Sequence, residues 1–360
     1  MLFNFFTYFI NESCSPLNKC SYFCTMILVT GGTGLLGSHL LYRLTENGHS
    51  VRALYRDRSK ISGVQQLFDY YSDGQPHRFA SIEWIEGDIL DLVSLEDALK
   101  GIETVYHCAA KVSFRKRDFK QLIQINRLGT ANMVNMSLKA GVKKFGYVSS
   151  TAAIGGQENQ LMKESNKWVL SDHTSGYAIS KYNAEREVWR GCEEGMDVII
   201  INPCVIFGAG DLNESSLTIF KTVKNGLKFY SPGSNAFVDA RDVAFCFVQL
   251  MESSTANERF MCIGHNMKFE DSIKIIAKEL NVKQPSVCPP KWLAYTIGRL
   301  NEFFYRIAGR GSAITVESAR SAYSNMTYSN EKIQNELNHS FYPFEETVKN
   351  VVDFYRNTVR

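Results

Sequence analysis

Short apolar runs recur along the first half of the chain, and longer stretches with helical periodicity separate them. Each run holds four to six residues, a length typical of one buried strand. Six strands are predicted, at Met26–Val29, Ser50–Tyr55, Ser81–Glu86, Thr104–His107, Lys144–Val148 and Met196–Ile201. Because strands that alternate with helices indicate βαβ units, the pattern predicts an α/β fold.

The intervening stretches place apolar residues along one side of a helix. They predict helices over Ser38–Leu44, Ile61–Tyr71, Leu92–Lys100, Arg117–Ala140 and Tyr177–Trp189. Beyond the sixth strand, the pattern predicts a helix over Leu217–Gly226, a helix from Arg241 to about Glu252, a strand over Arg259–Ile263 and a mainly helical remainder from Phe269. Charged residues interrupt the apolar stretch 292–307, which therefore predicts an amphipathic helix and no membrane span.

The turn after the first strand carries Gly31, Gly34 and Gly37, spaced as Gly-x-x-Gly-x-x-Gly. Glycines let the backbone turn tightly and let phosphates approach it, and the following helix offers free N–H groups. The turn therefore predicts a site for a dinucleotide pyrophosphate. A purely structural turn is the alternative, because the spacing differs from the better-known Gly-x-Gly-x-x-Gly.

The second strand ends at Arg56, with Lys60 close behind it. An acidic residue at this strand end suits a free ribose 2′-hydroxyl, whereas arginine suits a 2′-phosphate. The residues favour NADP(H), although Asp57 leaves NAD(H) open and a solvated basic loop is the structural alternative. At the next strand end, Asp88 is expected either to accept from an adenine amino group or to cap the following helix.

The fifth strand delivers Ser149, Ser150 and Thr151 to the carboxyl edge of the sheet, where ligands bind in open α/β folds. The later helix places Tyr177 and Lys181 on one face, because four residues separate them. A nearby ammonium favours a phenolate, so the pair predicts acid–base chemistry near neutral pH. Alone, such a pair is an ordinary helix contact.

The composition and charge of the chain argue against several classes of function. The chain has 360 residues and a net charge of +3 at pH 7. Its basic residues are scattered, which argues against a nucleic-acid partner. The nine cysteines form no Cys-x-x-Cys pair, and no His cluster has metal-ligand spacing. This pattern predicts reduced thiols in a cytoplasmic protein without a metal site; a homodimer stays open.

Residues 1–25 differ from the rest of the chain. They are rich in aromatic residues, but polar residues interrupt them and no basic region precedes them. They therefore predict neither a membrane span nor an ordinary signal peptide, although a weak signal peptide stays open. Because the first core strand begins at Met26, we expect translation to start there and residues 1–25 to be an extension that is disordered or not translated.

Taken together, the motifs resemble the extended short-chain dehydrogenase/reductase superfamily, the NAD-dependent epimerase/dehydratase family. In the family's order they are Thr30-Gly31-x-x-Gly34-x-x-Gly37, Asp88-Ile89, His107-x-Ala109-Ala110, Asn126 with Gly129-Thr130, Ser149-Ser150, Tyr177-x-x-x-Lys181 and Asn202-Pro203-x-x-x-Phe207-Gly208. The resemblance implies a doubly wound parallel Rossmann sheet with a smaller, mostly helical C-terminal substrate region. The expected domains are 26–202 for the cofactor and 203–360 for the substrate, the latter interleaved with late Rossmann elements at about 236–264.

The resemblance also implies roles. Tyr177 would be the general acid–base, and Lys181 would lower its pKa and hold the nicotinamide ribose. Ser150 would bind the reacting oxygen, with Ser149 or Thr151 as substitutes, and Asn126 would support a proton-relay water. The implied cofactor contacts are Gly31, Thr33, Gly34, Leu35, Leu36, Gly37, Arg56, Lys60, Asp88, Ile89, Ala109, Ala110, Lys111, Ser149, Tyr177, Lys181, Pro203 and Val205.

Within the superfamily, residues 51–57 and 110–114 resemble the dihydroflavonol 4-reductase and 3β-hydroxysteroid dehydrogenase group. The resemblance implies an NAD(P)-dependent oxidoreductase that interconverts a carbonyl and an alcohol on a small organic substrate. Thr151 and Ala152 stand where nucleotide-sugar dehydratases carry an Asp-Glu pair, which argues against dehydration; Asn202 replaces the family's usual arginine. A nucleotide-sugar epimerase and a non-catalytic NADP-sensing protein are the alternatives.

Removal of residues 1–25 is expected to leave the protein soluble, folded and able to bind cofactor, because the first core strand begins at Met26. Circular dichroism and a cofactor titration of the chain starting at Met26 would check this. Insoluble or unfolded protein would show instead that the segment packs on the domain.

Overall fold

A computed structural model describes residues 26–72, 77–171, 174–308 and 316–358. The prediction for residues 1–25 lies outside these ranges. In chain order, the strands of the described residues are β1 (Met26–Thr30), β2 (Val51–Tyr55), β3 (Glu83–Glu86), β4 (Ile102–His107), β5 (Lys144–Val148), β6 (Leu161–Met162), β7 (Asp197–Pro203), β8 (Val205–Phe207), β9 (Ser234–Asp239), β10 (Glu258–Cys262), β11 (His265–Lys268) and β12 (Thr327–Tyr328).

The helices of the same ranges alternate with the strands in the first half and dominate the second. They are α1 (Leu35–Glu46), α2 (Ile61–Tyr71), α3 (His77–Ala80), α4 (Leu92–Ala98), α5 (Phe119–Leu122), α6 (Gly129–Ala140), α7 (Gly176–Glu193), α8 (Thr218–Lys224), α9 (Ala240–Glu252), α10 (Phe269–Glu279), α11 (Lys291–Ala308), α12 (Val316–Ala322), α13 (Glu331–Leu337) and α14 (Phe344–Thr358).

Seven strands form one parallel sheet in the order β10-β7-β5-β4-β1-β2-β3. Successive side chains of a strand point to opposite faces, and β1 shows this directly. Ile27 and Val29 pack with α1, α2 and α9, whereas Leu28 packs on the other face with α4, α6 and α7. The sheet is therefore buried on both sides, and the predicted doubly wound Rossmann fold is confirmed.

A smaller layer stands beyond the carboxyl edge of this sheet. Strands β8, β9 and β11 form a second sheet in the order β11-β9-β8. Its apolar residues share a core with α8, α10 and α14. The sequence pattern missed β8 and β11, which are three and four residues long, because runs this short carry no periodicity.

The predicted long helical stretch over Arg117–Ala140 is confirmed, but its first half is not a regular α-helix. The chain forms a 3₁₀ turn over Lys116–Asp118, then α5, then a π-helical segment over Ile123–Leu128, and only then α6. Wider π turns accompany functional sites in many proteins. Here the π segment turns Asn126 fully into the interior.

Two glycines make the turn between β1 and α1 possible. Gly31 has φ +70°, and a Cβ there would lie 2.6 Å from the Ala109 nitrogen. A Cβ on Gly37 would lie 2.0 Å from the Gly31 carbonyl oxygen. Both contacts are with backbone, which cannot move aside as a flexible side chain can. The spacing of these glycines thus lets α1 begin directly over the turn.

Gly37→Ala and Gly63→Ala are expected to have opposite effects on stability. Each glycine is the third residue of its helix, but a Cβ on Gly63 would meet nothing within 4 Å. Alanine at 63 should raise the free energy of unfolding by roughly 0.5–1 kcal/mol. Alanine at 37 should lower it by about 1–3 kcal/mol, the usual cost of overpacking. Urea unfolding measures both, and an unchanged midpoint for Gly37→Ala would contradict the close approach.

Candidate active site

Tyr177 lies at the start of α7, beside the carboxyl edge of the main sheet. The Ser175 hydroxyl oxygen accepts a hydrogen bond from the Ala178 N–H at 2.9 Å, which caps the helix and fixes its first turn. Tyr177 is 8% exposed, and the half-exposed ring of Phe114 meets its ring edge-on, with centroids 5.7 Å apart. The hydroxyl therefore sits in a mostly apolar setting.

Lys181 follows one helical turn later and is buried. Its Nζ donates to the Val148 carbonyl oxygen at 2.8 Å and to the Tyr147 hydroxyl at 3.2 Å. Burial lowers the pKa of Lys181 to about 8, although the charge of Glu185 opposes that fall. Lys181 is thus a buried ammonium held at the end of β5.

The pKa of Tyr177 differs from the sequence-based expectation. Burial raises it to about 12, and hydrogen bonding with Ser150 only partly offsets the rise. Lys181 was expected to lower this pKa, but its ammonium points to Val148 and Tyr147 instead. In this arrangement Tyr177 is protonated throughout the neutral range, so it can donate a proton.

Of the three hydroxyl residues after β5, Ser150 is the one beside Tyr177. Its Oγ accepts from the Ala152 N–H at 3.2 Å, which begins a 3₁₀ turn over Thr151–Ala153. Thr151 is buried and hydrogen-bonds with Tyr328. Ser149 is buried as well. The geometry therefore favours Ser150 over the two substitutes as the residue that meets a substrate oxygen.

Asn126 ties the loop after β4 to the helix that carries Tyr177. Its Oδ1 accepts from the Lys111 N–H at 2.7 Å, and its Nδ2 donates to the Lys111 carbonyl at 2.9 Å and to the Ser180 hydroxyl at 2.9 Å. Ser180 in turn donates to the Tyr177 carbonyl at 2.7 Å. Asn126 thus positions the loop, and its role toward a proton-relay water stays a prediction.

The glycine turn presents free donors at the same sheet edge. Gly34 caps α1, and no side chain of the described residues bonds to that helix end. The first N–H groups of α1, from Leu35 to Gly37, therefore have no intrahelical partner and face outward with the positive end of the helix dipole. Small residues adjoin the turn, and the Ala109 N–H donates to the Thr30 hydroxyl at 3.3 Å.

The buried His107 fixes this part of the sheet. Its Nδ1 lies 2.6 Å from the Thr30 Oγ1, and its Nε2 lies 3.0 Å from the Thr130 Oγ1. Burial lowers the pKa of His107 to about 3, so the ring is neutral. It links β1, β4 and α6 below the turn rather than taking part in chemistry.

The predicted phosphate-binding side chains lie at the end of β2. Arg56 is 69% exposed along its side chain, and its Nη1 lies 3.7 Å from the Asp88 Oδ2. Asp57 turns back on its own backbone, since one carboxylate oxygen accepts from the Ser59 N–H and hydroxyl. These bonds lower the pKa of Asp57. Lys60 instead pairs with Glu214 at 2.6 Å, so it is directed toward the second layer.

The remaining predicted contacts are spread around the same edge. Ile89 packs against Gly129, where a Cβ would lie 2.5 Å from its side chain, which explains the glycine at the start of α6. The Lys111 Nζ donates to Gln121. Pro203 ends β7 and Val205 begins β8, at the junction of the two layers.

Sequence reasoning missed three polar residues near the site: Tyr147, Glu185 and Arg259. Glu185 follows Lys181 by four residues on α7, so helical spacing alone suggests its place. Tyr147 lies two residues after Phe145 on β5, and both rings are buried in the same core. Arg259 lies on β10, which pairs with β7, and no local pattern indicates that pairing.

The described ranges also bear on metal binding and on membrane insertion. No group of three or more His, Cys, Asp or Glu residues within them has a metal-binding arrangement. Among their helices, none combines the length and the apolar character needed to span a bilayer.

Comparisons with known proteins agree with this architecture. A model of the NAD dependent epimerase/dehydratase family matches residues 27–264. The sterol demethylase protein B of Methylococcus capsulatus is 29% identical over 76% of this chain and 80% of its own. Dihydroflavonol 4-reductase of Arabidopsis thaliana is 28% identical over 73% and 71%. The crystal structure of gox2253 has a TM-score of 0.76 at 28% identity, covering 92% of this chain and 98% of its own.

The family match spans well over half of the chain and contains both the glycine turn and the Tyr177–Lys181 pair. The predicted membership of the extended short-chain dehydrogenase/reductase superfamily is confirmed. The chain belongs to the nicotinamide-dependent epimerase/dehydratase family of enzymes.

Proposed function

We propose that this protein is an NADP-dependent oxidoreductase that reduces a carbonyl, or oxidises the matching alcohol, on a substrate with an apolar body. The observation that carries the proposal is the meeting of Ser150, Tyr177 and Lys181 at one sheet edge, with Tyr177 kept protonated by burial. Proton donation to a carbonyl oxygen needs a neutral phenol in such a place.

The residues at this edge fit a nicotinamide dinucleotide. The uncapped start of α1 offers N–H donors for a pyrophosphate. Ala109 and Ala110 add little bulk beside it, and Arg56 stands free enough to swing toward a ribose phosphate. When bound, the cofactor would supply or accept the hydride.

The chain's own residues supply the proton chemistry. The Ser150 hydroxyl would hold the substrate oxygen, and the Tyr177 hydroxyl would give it a proton as the carbonyl becomes an alcohol. The Lys181 ammonium would stabilise the phenolate that remains. Phe114, packed on the ring of Tyr177, would exclude water from the reacting atoms on that side.

NADP(H) is favoured over NAD(H) by the charges at the end of β2. The Asp57 carboxylate is engaged by Ser59, which leaves it poorly placed for a ribose hydroxyl. The neighbouring Arg56 has only a 3.7 Å ion pair in a mostly exposed position, and such pairs are weak. A guanidinium can release that pair and donate two hydrogen bonds to the oxygens of a phosphate.

An apolar substrate is favoured by the loop after β4. Val112 and Phe114 are both about half exposed there, and Phe114 contacts the Tyr177 ring. Dihydroflavonol 4-reductase, one of the relatives, is named for a reduction of this chemical kind. We place the rest of the substrate site in residues 203–360, which include the second layer. A nucleotide-sugar epimerase is the second candidate function. Such an enzyme would show no net consumption of cofactor when given a nucleotide sugar.

Tyr177→Phe is expected to lower turnover by about 10²–10⁴-fold, because it removes the proton donor and keeps the ring. NADPH affinity should stay close to that of the unchanged protein. A screen of NADPH oxidation against apolar aldehydes and ketones identifies the substrate, and steady-state kinetics then compare the variants.

Tyr182→Phe is the matched control for that experiment. Tyr182 lies on the same helix, and its ring stacks on Trp168 with centroids 4.0 Å apart. Loss of its hydroxyl should leave turnover unchanged. Wild-type turnover in Tyr177→Phe would contradict the proposed chemistry.

Arg56→Ala is expected to weaken NADPH binding by about 1.5–3 kcal/mol, the usual worth of a charge-assisted hydrogen bond. NADH binding should change little, because that cofactor lacks the 2′-phosphate. Arg58→Ala in the same exposed loop is the control and should affect both cofactors equally. Calorimetric titration measures each affinity, and equal losses for both cofactors in Arg56→Ala would argue against the NADP preference.

A further inference from the structure

A buried acid lies behind the proposed catalytic residues. Glu185 follows Lys181 by one turn of α7 and Tyr177 by two, so the three share one helix face. Glu185 is 2% exposed. A carboxylate at such depth is costly unless charges and hydrogen bonds compensate it. The hydrogen bonds and charges around the Glu185 carboxylate must therefore explain its burial.

Two residues from neighbouring strands compensate Glu185. The Asn202 Nδ2 of β7 donates to its Oε1 at 2.5 Å, and the Arg259 Nη1 of β10 lies 3.3 Å from its Oε2. Burial raises the pKa of Glu185, while hydrogen bonding with Ser149 and the contacts with Asn202 and Arg259 lower it. The fixed positive charge of arginine favours the ionised carboxylate.

The same asparagine reaches the reacting end of the site. Its Nδ2 also donates to the Ser150 carbonyl at 3.0 Å. One amide group thus bridges the Glu185 carboxylate and the backbone of the serine that stands beside Tyr177. The bridge fixes the strand end relative to α7.

Several titratable groups face Lys181 from the elements packed on it. From α7 they are Tyr177 and Glu185, and from the ends of β4 and β5 they are His107, Cys108 and Tyr147. Burial lowers the pKa of His107 to about 3 and raises that of Cys108 to about 12. It also raises the pKa of Tyr147. Among the described residues facing Lys181, Glu185 is the one whose charge opposes the fall in the Lys181 pKa most, and Cys108 adds a smaller effect.

We propose that Glu185 is a positioning residue: its carboxylate anchors the Asn202 amide, which fixes Ser150 beside Tyr177, and it lies one turn of α7 from the Lys181 ammonium. Arg259 balances the charge of Glu185 from the opposite side. The result is an ordered row of alternating charges, Arg259, Glu185 and Lys181, drawn from β10 and α7. This inference rests on the proposed function for its consequences in catalysis, but the row of charges is a property of the chain alone.

The test uses Glu185→Gln, which removes the charge and keeps an oxygen for Asn202. Protein carrying ¹³C at the lysine ε carbons is titrated by NMR, with Lys181→Met to assign the resonance. The Lys181 midpoint should move from about 8 to lower pH, by about 1 pH unit, as expected when a nearby opposite charge is lost. Glu193→Gln, at an exposed position near the end of α7, is the control and should leave the midpoint in place.

The second part of the test measures how enzyme activity depends on pH. Lysine is charged below its pKa and neutral above it, so kcat/KM should hold at lower pH and fall as pH rises through the Lys181 value. Glu185→Gln should bring that fall to lower pH. Asn202→Ala should lower kcat at every pH and leave the Lys181 midpoint near its original value.

A measurement on the unchanged protein covers the case in which Glu185→Gln does not fold. The Lys181 resonance should show a second, smaller step where Glu185 takes up its proton, above the usual range of a glutamate because burial raises the pKa of Glu185. Absence of that step, or an unmoved midpoint in folded Glu185→Gln, would overturn the inference. If the protein reduced no carbonyl, the proposed function would fail, while the NMR titration would still decide the role of Glu185.

Discussion

Burial of the Lys181 ammonium is the constraint on which the site depends. A charge removed from water must be met by hydrogen bonds and by opposite charge, or the group gives up its proton. Val148 and Tyr147 supply acceptors at the end of β5, and Glu185 supplies the charge. Because these groups come from different elements, α7 can seat Lys181 only if it docks correctly on the sheet.

The same docking places Tyr177 and Ser150. α7 contacts the π segment, α6 and the 3₁₀ turn after β5. Through Asn126 and Ser180 the loop after β4 is bonded to the first turn of α7. Asn126, Lys111 and Ser180 thus orient one another through hydrogen bonds. Such a network gives a site a defined geometry. The π segment places Asn126 where it can form the hydrogen bonds with Lys111 and Ser180. These bonds account for the irregular turn inside the helix.

The fold was predictable because its evidence is local. The glycine turn, the apolar runs and the pair Tyr177–Lys181 each lie within a few residues of sequence, and the structure places them at one sheet edge. The sequence-based predictions failed where contacts between residues distant in sequence determine the structure. The strand order places β10 beside β7, with Arg259 opposite Ile200 and two positions from Asn202, and no periodicity within residues 197–262 indicates it. The π segment likewise depends on what Asn126 meets across the interior.

The protonation states of Tyr177 and Lys181 show why local evidence also misjudged the chemistry. Four-residue spacing suggested that the ammonium acts on the phenol, but burial dominates both groups. It raises the pKa of Tyr177 to about 12 and lowers that of Lys181 to about 8. Desolvation favours the neutral form of each, so the phenol retains its proton more firmly than the lysine does.

In the proposed reaction, this order of pKa values would suit reduction of a carbonyl better than oxidation of an alcohol. Near pH 7 both residues carry their protons, so Tyr177 can donate without first being recharged. After donation, the Ser150 hydroxyl would donate to the phenolate, and the Lys181 ammonium would have to turn from Val148 and Tyr147 to stabilise it. Oxidation would have to begin from that phenolate, which the buried setting makes costly. In the proposed reaction, the apolar surroundings of Tyr177 would therefore affect proton transfer as well as the choice of substrate, because they keep the phenol in its proton-donating form.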